Sequence, residues 1–296
     1  MKLKYSDNWE HKGFDLKSQK SNGVNIIYSI QSFTLSEEID GEMMDVISLP
    51  GNLLQNDEGS PNLPGTGRYI AIPQGASANM QIVAFRTEKF TNVEMAPAPR
   101  IPWETEQGPL EYDKNLSIYQ KDAFYPENPV TISMYYRYGG VDVVMLGITP
   151  FQYNPVTKEL IVYRDIEVNI DFEGGNGHFG DDRLRSRWWD PLLSDMLLNS
   201  ESLPKMDYNK SFQATDEAGC EYLIVVPNDP IFSQWADSIR KFRTQQGILT
   251  DIKTLDDIGG NNVSTLENYF NNALLTGILY LQSVLLIGDA AQMQPS

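Results

Sequence analysis

Cys220, His11 and His178 are the one cysteine and two histidines of this 296-residue chain, types suited to thiolate catalysis or transition-metal binding. A thiol acts as a nucleophile only as a thiolate, which a neighbouring base or positive charge must stabilise. Cys220 stands instead beside Glu221 and shortly after Asp216 and Glu217, whose negative charges disfavour the thiolate. It reads as a structural thiol immediately ahead of a strand. As the only cysteine, it excludes an internal disulfide and a multi-cysteine zinc centre. His178 closes the run Glu173-Gly174-Gly175-Asn176-Gly177-His178, which lacks the G-x-G-x-x-G spacing and the following helix of a phosphate cradle. A single histidine there reads as a loop residue, and His11 has no companions either. Asp181-Asp182 and Asp256-Asp257 read as solvated charges or helix starts. Asp289 ends a strand, where open α/β sheets hold ligands. One carboxylate falls far short of the roughly six to eight oxygens around Ca²⁺. This inventory argues against a complete hydrolase.

The charge balance narrows the partners. With 23 Lys+Arg against 40 Asp+Glu the net charge is -17, which is the wrong sign for nucleic acid or an anionic membrane surface. A hydrophobic fraction of 41% with 11% aromatics places the chain among folded proteins. Nothing approaches the ~18 consecutive apolar residues of a spanning helix, so no transmembrane segment is expected. Met1-Lys2-Leu3-Lys4-Tyr5-Ser6-Asp7 carries charge without an apolar stretch and is no signal peptide as it stands. Either the protein is cytosolic or an export signal preceded this sequence.

The elements that must position these groups change character near residue 200. Before it, short alternating runs are separated by Gly, Pro and Asn. Val130, Ile132, Met134, Tyr136 and Tyr138 alternate with polar neighbours and predict a strand with one buried face. Further strands are expected at 68–72, 78–85, 141–148, 160–163 and 166–172. In the last, Ile166, Val168, Ile170 and Phe172 share a face, while Glu167, Asn169 and Asp171 take the other. Asn154-Pro155 marks a turn. Many short strands with turns between them predict a β-sandwich or barrel. Residues 95–127 are rich in Pro and lack periodicity, which predicts a long loop. A short helix is expected within 181–198, carrying Trp188 and Trp189. Residues 199–219 are polar and without period and read as a linker.

From Cys220 the period switches. Tyr222-Leu223-Ile224-Val225-Val226 is a continuous apolar strand of the kind buried on both faces. Phe232, Trp235, Ala236, Ile239 and Phe242 recur at helical spacing, with Gly247 placed to end the helix. A second strand is expected at 249–255. A second helix is predicted behind a Ser264/Glu267 capping box, and Val284-Leu285-Leu286-Ile287 makes a third strand. This βαβαβ order is half of a doubly wound sheet. Its uncovered edge predicts that the chain is the N-terminal part of a longer protein.

Several blocks resemble one family. Tyr222-Leu223-Ile224-Val225-Val226-Pro227, Trp235, Lys241-Phe242-Arg243-Thr244-Gln245-Gln246-Gly247-Ile248 and Val284-Leu285-Leu286-Ile287-Gly288-Asp289 are similar to the opening of the catalytic domain of gingipains, cysteine endopeptidases of peptidase family C25. Pro61-Asn62-Leu63-Pro64, Tyr69-Ile70-Ala71-Ile72-Pro73-Gln74-Gly75-Ala76, Phe124-Tyr125-Pro126 and Pro150-Phe151-Gln152-Tyr153-Asn154-Pro155-Val156-Thr157-Lys158-Glu159-Leu160 resemble the family's propeptide. The resemblance implies a multidomain chain, β then α/β. A β-sandwich prodomain (1–198) and linker (199–219) would precede an incomplete, caspase-like doubly wound parallel α/β domain (220–296). It implies a secreted or cell-surface zymogen whose prodomain maintains latency and assists folding. The catalytic His and Cys would lie beyond Ser296, so no catalytic residue is assigned here and the chain alone is expected to be inactive.

By the same resemblance, the partners are the chain's own catalytic domain and, for the complete enzyme, protein or peptide substrates. Calcium is the one cofactor implied, with Asp289 as its only candidate here. Residues 95–127 become the candidate cleft-covering segment, with Arg100, Lys114 or Lys121 entering a basic-specific pocket. Lys205 and Lys210 become the processing candidates. A non-enzymatic reading stands beside this one. A secreted β-sandwich displaying Tyr135, Tyr136, Tyr138, Trp188 and Trp189 would bind carbohydrate or protein, with the α/β segment as an accessory.

Overall fold

The computed structural model describes residues 2–7, 9, 12–36, 43–51, 56–106, 108–182, 184–206, 208, 220–275 and 281–288. His11, Lys210 and Asp289 lie outside the described residues. The chain divides into two compact units. The first is Met1–Phe179 with Leu193–Pro204, and the second is Gly180–Leu192 with Lys205–Ser296. The division is interleaved, which contiguous domains at 1–198 and 220–296 do not describe. Tertiary pairing decides it: Asn199, expected in a linker, is buried in the first unit.

The first unit is antiparallel. Its strands are β1 (Lys2–Lys4), β2 (Gly13–Lys20), β3 (Gly23–Ser29), β4 (Ser32–Ser36), β5 (Val46–Ser48) and β6 (Thr66–Ala71). The long β7 (Ala76–Phe90) follows, then β8 (Val130–Ile132), β9 (Tyr136–Tyr138), β10 (Val141–Ile148), β11 (Phe151–Asn154) and β12 (Glu159–Gly174). One sheet runs β11-β12-β3-β2 with β7 on the other side of β12; a second runs β6-β10-β8 with β9 beside β10; β1, β4 and β5 form a third. Residues buried in all three sheets, including Ile26, Phe33, Ile70, Leu146, Phe151 and Val168, join one hydrophobic core.

β12 carries the alternation expected of it, with Ile166, Val168, Ile170 and Phe172 buried. Its register against β7 shifts between Tyr163 and Asp165, the mark of a bulge. The turn between β11 and β12 is held by the Asn154 side chain, whose Oδ1 accepts the N–H groups of Val156 (3.0 Å) and Thr157 (3.2 Å).

One expectation fails here, and the long loop gains a detail. The run 130–138 is not one strand: β8 and β9 are separate, and Met134, expected inside, is 84% exposed. Its alternation is broken because Ser133 turns its hydroxyl to the chain, accepting the N–H of Met145 at 2.9 Å and donating to the Met134 carbonyl at 2.7 Å. The loop expected over 95–127 is pinned at both ends. Met95, Ala96 and Ala98 are buried, and a short helix (Leu116–Tyr119) returns the chain so that the Tyr119 hydroxyl donates to the Met95 carbonyl at 3.0 Å.

The second unit holds a parallel sheet in the order β14-β13-β15, with β13 (Tyr222–Val226) between β14 (Thr250–Thr254) and β15 (Ser283–Leu286). β13 is buried on both faces. Leu223 and Val225 pack with Cys220, Leu255 and Ile258, while Ile224 and Val226 pack with Ala236 of the helix Pro230–Gln245. That helix starts where Asp229 accepts the N–H of Ile231 at 2.7 Å, with Pro230 in the first turn. Gly247 follows its end at φ +77°, a conformation glycine adopts without strain. The predicted Ser264/Glu267 box is not the cap of the next helix. The helix Val263–Leu275 begins ahead of Ser264, and Asn262 caps it by accepting the N–H of Thr265 at 2.9 Å. The capping box belongs instead to Thr254 and Asp257, on the one-turn helix Leu255–Ile258.

Candidate functional site

The segment 100–111 is an arch closed at its base by the Arg100 N–H, which donates to the Glu111 carbonyl at 3.1 Å. Side chains brace it. The Arg100 guanidinium meets Glu106 at 2.9 Å and Glu111 at 3.3 Å, and the Glu106 carboxylate also accepts the Trp103 N–H at 3.0 Å. The Trp103 bond first, and Arg100 next, hold the Glu106 carboxyl below its usual range. The chain closes a turn here, since the Glu106 N–H donates to the Trp103 carbonyl at 2.9 Å. With the backbone so held, Ile101, Trp103 and Leu110 stand out in solvent, Trp103 75% exposed. A braced loop with an exposed tryptophan between aliphatic residues has the composition of a docking element.

Of the three basic candidates, two are engaged within the unit. Arg100 is the brace itself. Lys114 binds Glu94 at 2.9 Å and lies over the Tyr119 ring at 5.1 Å. Glu94 also takes Lys158 at 2.6 Å, and these cations, Lys158 foremost, hold its pKa down against the opposing effect of burial. Lys121 is exposed, and its side chain forms no ion pair among the described residues. Lys205 is exposed as well.

The remaining candidates are structural. Cys220 is buried, and burial with the charge of Asp251 pushes its thiol up to about 11, away from thiolate chemistry. His178 is held by its backbone: its N–H donates to Asn176 at 2.8 Å and its carbonyl accepts from Gln74 at 2.9 Å. Among the described residues no group of three His, Cys, Asp or Glu side chains converges to hold a metal. Tyr136 and Tyr138 are tilted by 33°, and Tyr138 is edge-on to Tyr69.

Sequence reasoning missed a second constellation, in the second unit. Glu221, 3% exposed, accepts Arg187 Nε and Nη2 (both 2.7 Å), Trp188 Nε1 (2.9 Å) and the Leu249 N–H (3.0 Å). Burial raises this carboxyl, but the bonds from Arg187, Leu249 and Trp188 outweigh it and hold the pKa below the usual value. Nothing local signals the pairing, because the partners are 34 residues apart.

The class of protein now follows from comparison. The propeptide family model Propeptide_C25 matches residues 14–179, more than half of the sequence, and the chain belongs to that family. It is similar to Lys-gingipain HG66 of Porphyromonas gingivalis, 25% identical over 147 residues that make up 47% of this chain and 8% of that protein. It is also similar to gingipain R2 of the same organism, 21% identical over 241 residues, 79% of this chain and 31% of that one. The chain thus spans less than a third of these relatives. In fold it resembles a chain of the complex of Porphyromonas gingivalis RgpB pro- and mature domains, with a TM-score of 0.56 at 20% identity, over 65% of this chain and 98% of that one. A structure of gingipain K from the same organism, described for its zymogenic latency, gives 0.50 at 21% identity, over 59% and 99%.

Proposed function

We propose that the first unit is the latency-maintaining prodomain of a gingipain-like cysteine peptidase zymogen, and that the second unit opens its caspase-like catalytic domain. The observation that carries this reading is the family match over 14–179, which falls within the first unit. In this reading the antiparallel sheets pack as a β-sandwich, and the three parallel strands begin a doubly wound α/β sheet. In this reading the first unit binds and blocks, and peptide-bond cleavage belongs to a thiolate nucleophile and histidine base of the peptidase domain. In the same reading the protein works outside the cell or on its surface, and protein and peptide substrates are those of the complete enzyme.

Latency follows from steric exclusion. The arch 100–111 covers the catalytic cleft, with Trp103 and its aliphatic neighbours buried against it. An aromatic side chain buries roughly 150–250 Å², and at about 25 cal/mol per Å² that is several kcal/mol before ordering costs. The Arg100–Glu106–Glu111 brace lowers those costs by fixing the arch beforehand. Of the basic candidates, Lys121 is the one that presents its charge to a specificity pocket, because Arg100 and Lys114 are already engaged with carboxylates. Lys205 and Lys210 are the processing positions.

The test is titration of the purified chain against an active gingipain-type peptidase. Stoichiometric inhibition is expected, weakened by about tenfold or more in Trp103→Ala. Absence of inhibition at large molar excess would overturn the prodomain reading. Unchanged inhibition by Trp103→Ala would remove the arch from it and leave the rest standing.

A further inference from the structure

The second unit contains a piece of chain from the N-terminal side of residues 209–219. Gly180–Leu192 belongs to it, whereas Phe179 and Leu193 belong to the first unit. This piece is held by side chains. Arg187 grips the buried Glu221 carboxylate with two parallel bonds of 2.7 Å, and its guanidinium also donates to the Gly247 carbonyl. Trp188 adds its indole N–H to Glu221 at 2.9 Å, and the Arg187 guanidinium lies 4.8 Å from the Trp188 ring centroid. Ser186 donates to Gln282 Oε1 at 2.9 Å and also caps the helix Trp189–Met196 by accepting the Trp189 N–H at 3.1 Å. Trp188, Trp189 and Leu192 line a cleft of about 390 Å³ together with Tyr222, Arg243 and Ile248.

We infer that the buried Glu221 carboxylate, with the Gly247 carbonyl beside it, is a recognition site for the Arg187-Trp188 pair, and that Gly180–Leu192 is a strap keeping the N-terminal fragment attached once the chain is cut within 209–219. A bidentate guanidinium–carboxylate pair gives geometric specificity as well as energy, and a lysine at 187 would supply only a point charge. The site matches a peptide of this chain: a buried acid that takes both the guanidinium and the indole N–H, and a carbonyl beside it for the guanidinium. The inference uses the zymogen reading only to say that such a cut occurs in nature.

The experiment therefore makes its own cut. A site for a sequence-specific protease is placed within 209–219 of the full chain, the chain is cleaved, and the two fragments are passed over a size-exclusion column and a dissociation assay. Co-elution of the wild-type fragments is expected. Arg187→Ala and Glu221→Gln are each expected to release them about 10- to 100-fold faster, the range of one lost charge-assisted interaction. Trp188→Phe, which keeps a ring and loses the indole donor, is expected to give an intermediate rate. An added peptide of residues 184–192 is expected to compete. Separation of the wild-type fragments overturns the inference, and so do variants whose release is unchanged. Should Arg187→Ala not fold, Trp188→Phe and the peptide competition decide alone. Fragments that stay together while the intact chain inhibits no peptidase would uphold the strap and refute the latency reading.

Discussion

The Asn199 carboxamide pairs with both backbone groups of Ala71, accepting its N–H at 2.8 Å and donating to its carbonyl at 2.9 Å. Both residues are buried, so the side chain of Asn199 does for the end of β6 what a neighbouring strand would do. Asn199→Ala leaves two buried backbone groups unpaired, each worth about 1–3 kcal/mol. A loss of about 2–6 kcal/mol in the unfolding free energy of the first unit is expected from denaturant titration, and Asn199→Asp, which cannot donate to the carbonyl, should also destabilise.

Asp165 sits at the bulge of β12, fully buried, and accepts Arg86 Nε (2.8 Å), the Ser29 hydroxyl (2.6 Å) and the Trp9 N–H (3.1 Å). Removing one partner of such a pair strands the other's charge. Asp165→Ala is expected to cost about 3–5 kcal/mol and to raise amide exchange at Trp9, measurable by denaturation and hydrogen exchange.

The brace of the arch is exposed, and exposed ion pairs add little to global stability. Arg100→Ala should therefore leave the melting temperature unchanged while speeding proteolysis within 100–111 and weakening inhibition of the peptidase. A lowered melting temperature with unchanged proteolysis would show the arch to be held by something else.

Cys220 offers a readout by pH. Its folded thiol titrates near 11 instead of 9, so its contribution is complete below the unfolded value and is lost as pH rises from 9 to 11. The shift corresponds to about 2–3 kcal/mol across that window. The stability of wild type should fall more steeply than that of Cys220→Ala between pH 9 and 11. A thiol reagent at pH 8 should react only after unfolding. Parallel pH profiles would mean that Cys220 is ionised as freely when folded as when unfolded.

Legibility in the sequence tracked how local the cause was. Asn154 and Pro155 announce their turn because the carboxamide bonds its own chain two and three residues on. The alternation of 130–138 misled because Ser133 bonds to Met145, on the neighbouring strand, outside the run whose periodicity was read. By sequence, Lys114 and Arg100 are candidates to enter a basic-specific pocket. Glu94, twenty residues from Lys114, and Glu111, eleven from Arg100, take them up.

From residues alone came the change from antiparallel to parallel character near residue 200 and the double burial of β13. Both rest on near neighbours, whose periodicity acts whatever the rest of the chain does, whereas the raised thiol of Cys220 comes from burial and from Asp251 rather than from the acids beside it in sequence. The tertiary structure alone decided that Gly180–Leu192 lies with the second unit, that Asn199 completes β6, and that Trp103 stands on a braced arch. These depend on which distant acid or carbonyl a donor meets when both leave water. That choice is made by the folded chain as a whole, because an unpaired buried group costs more than any local preference contributes.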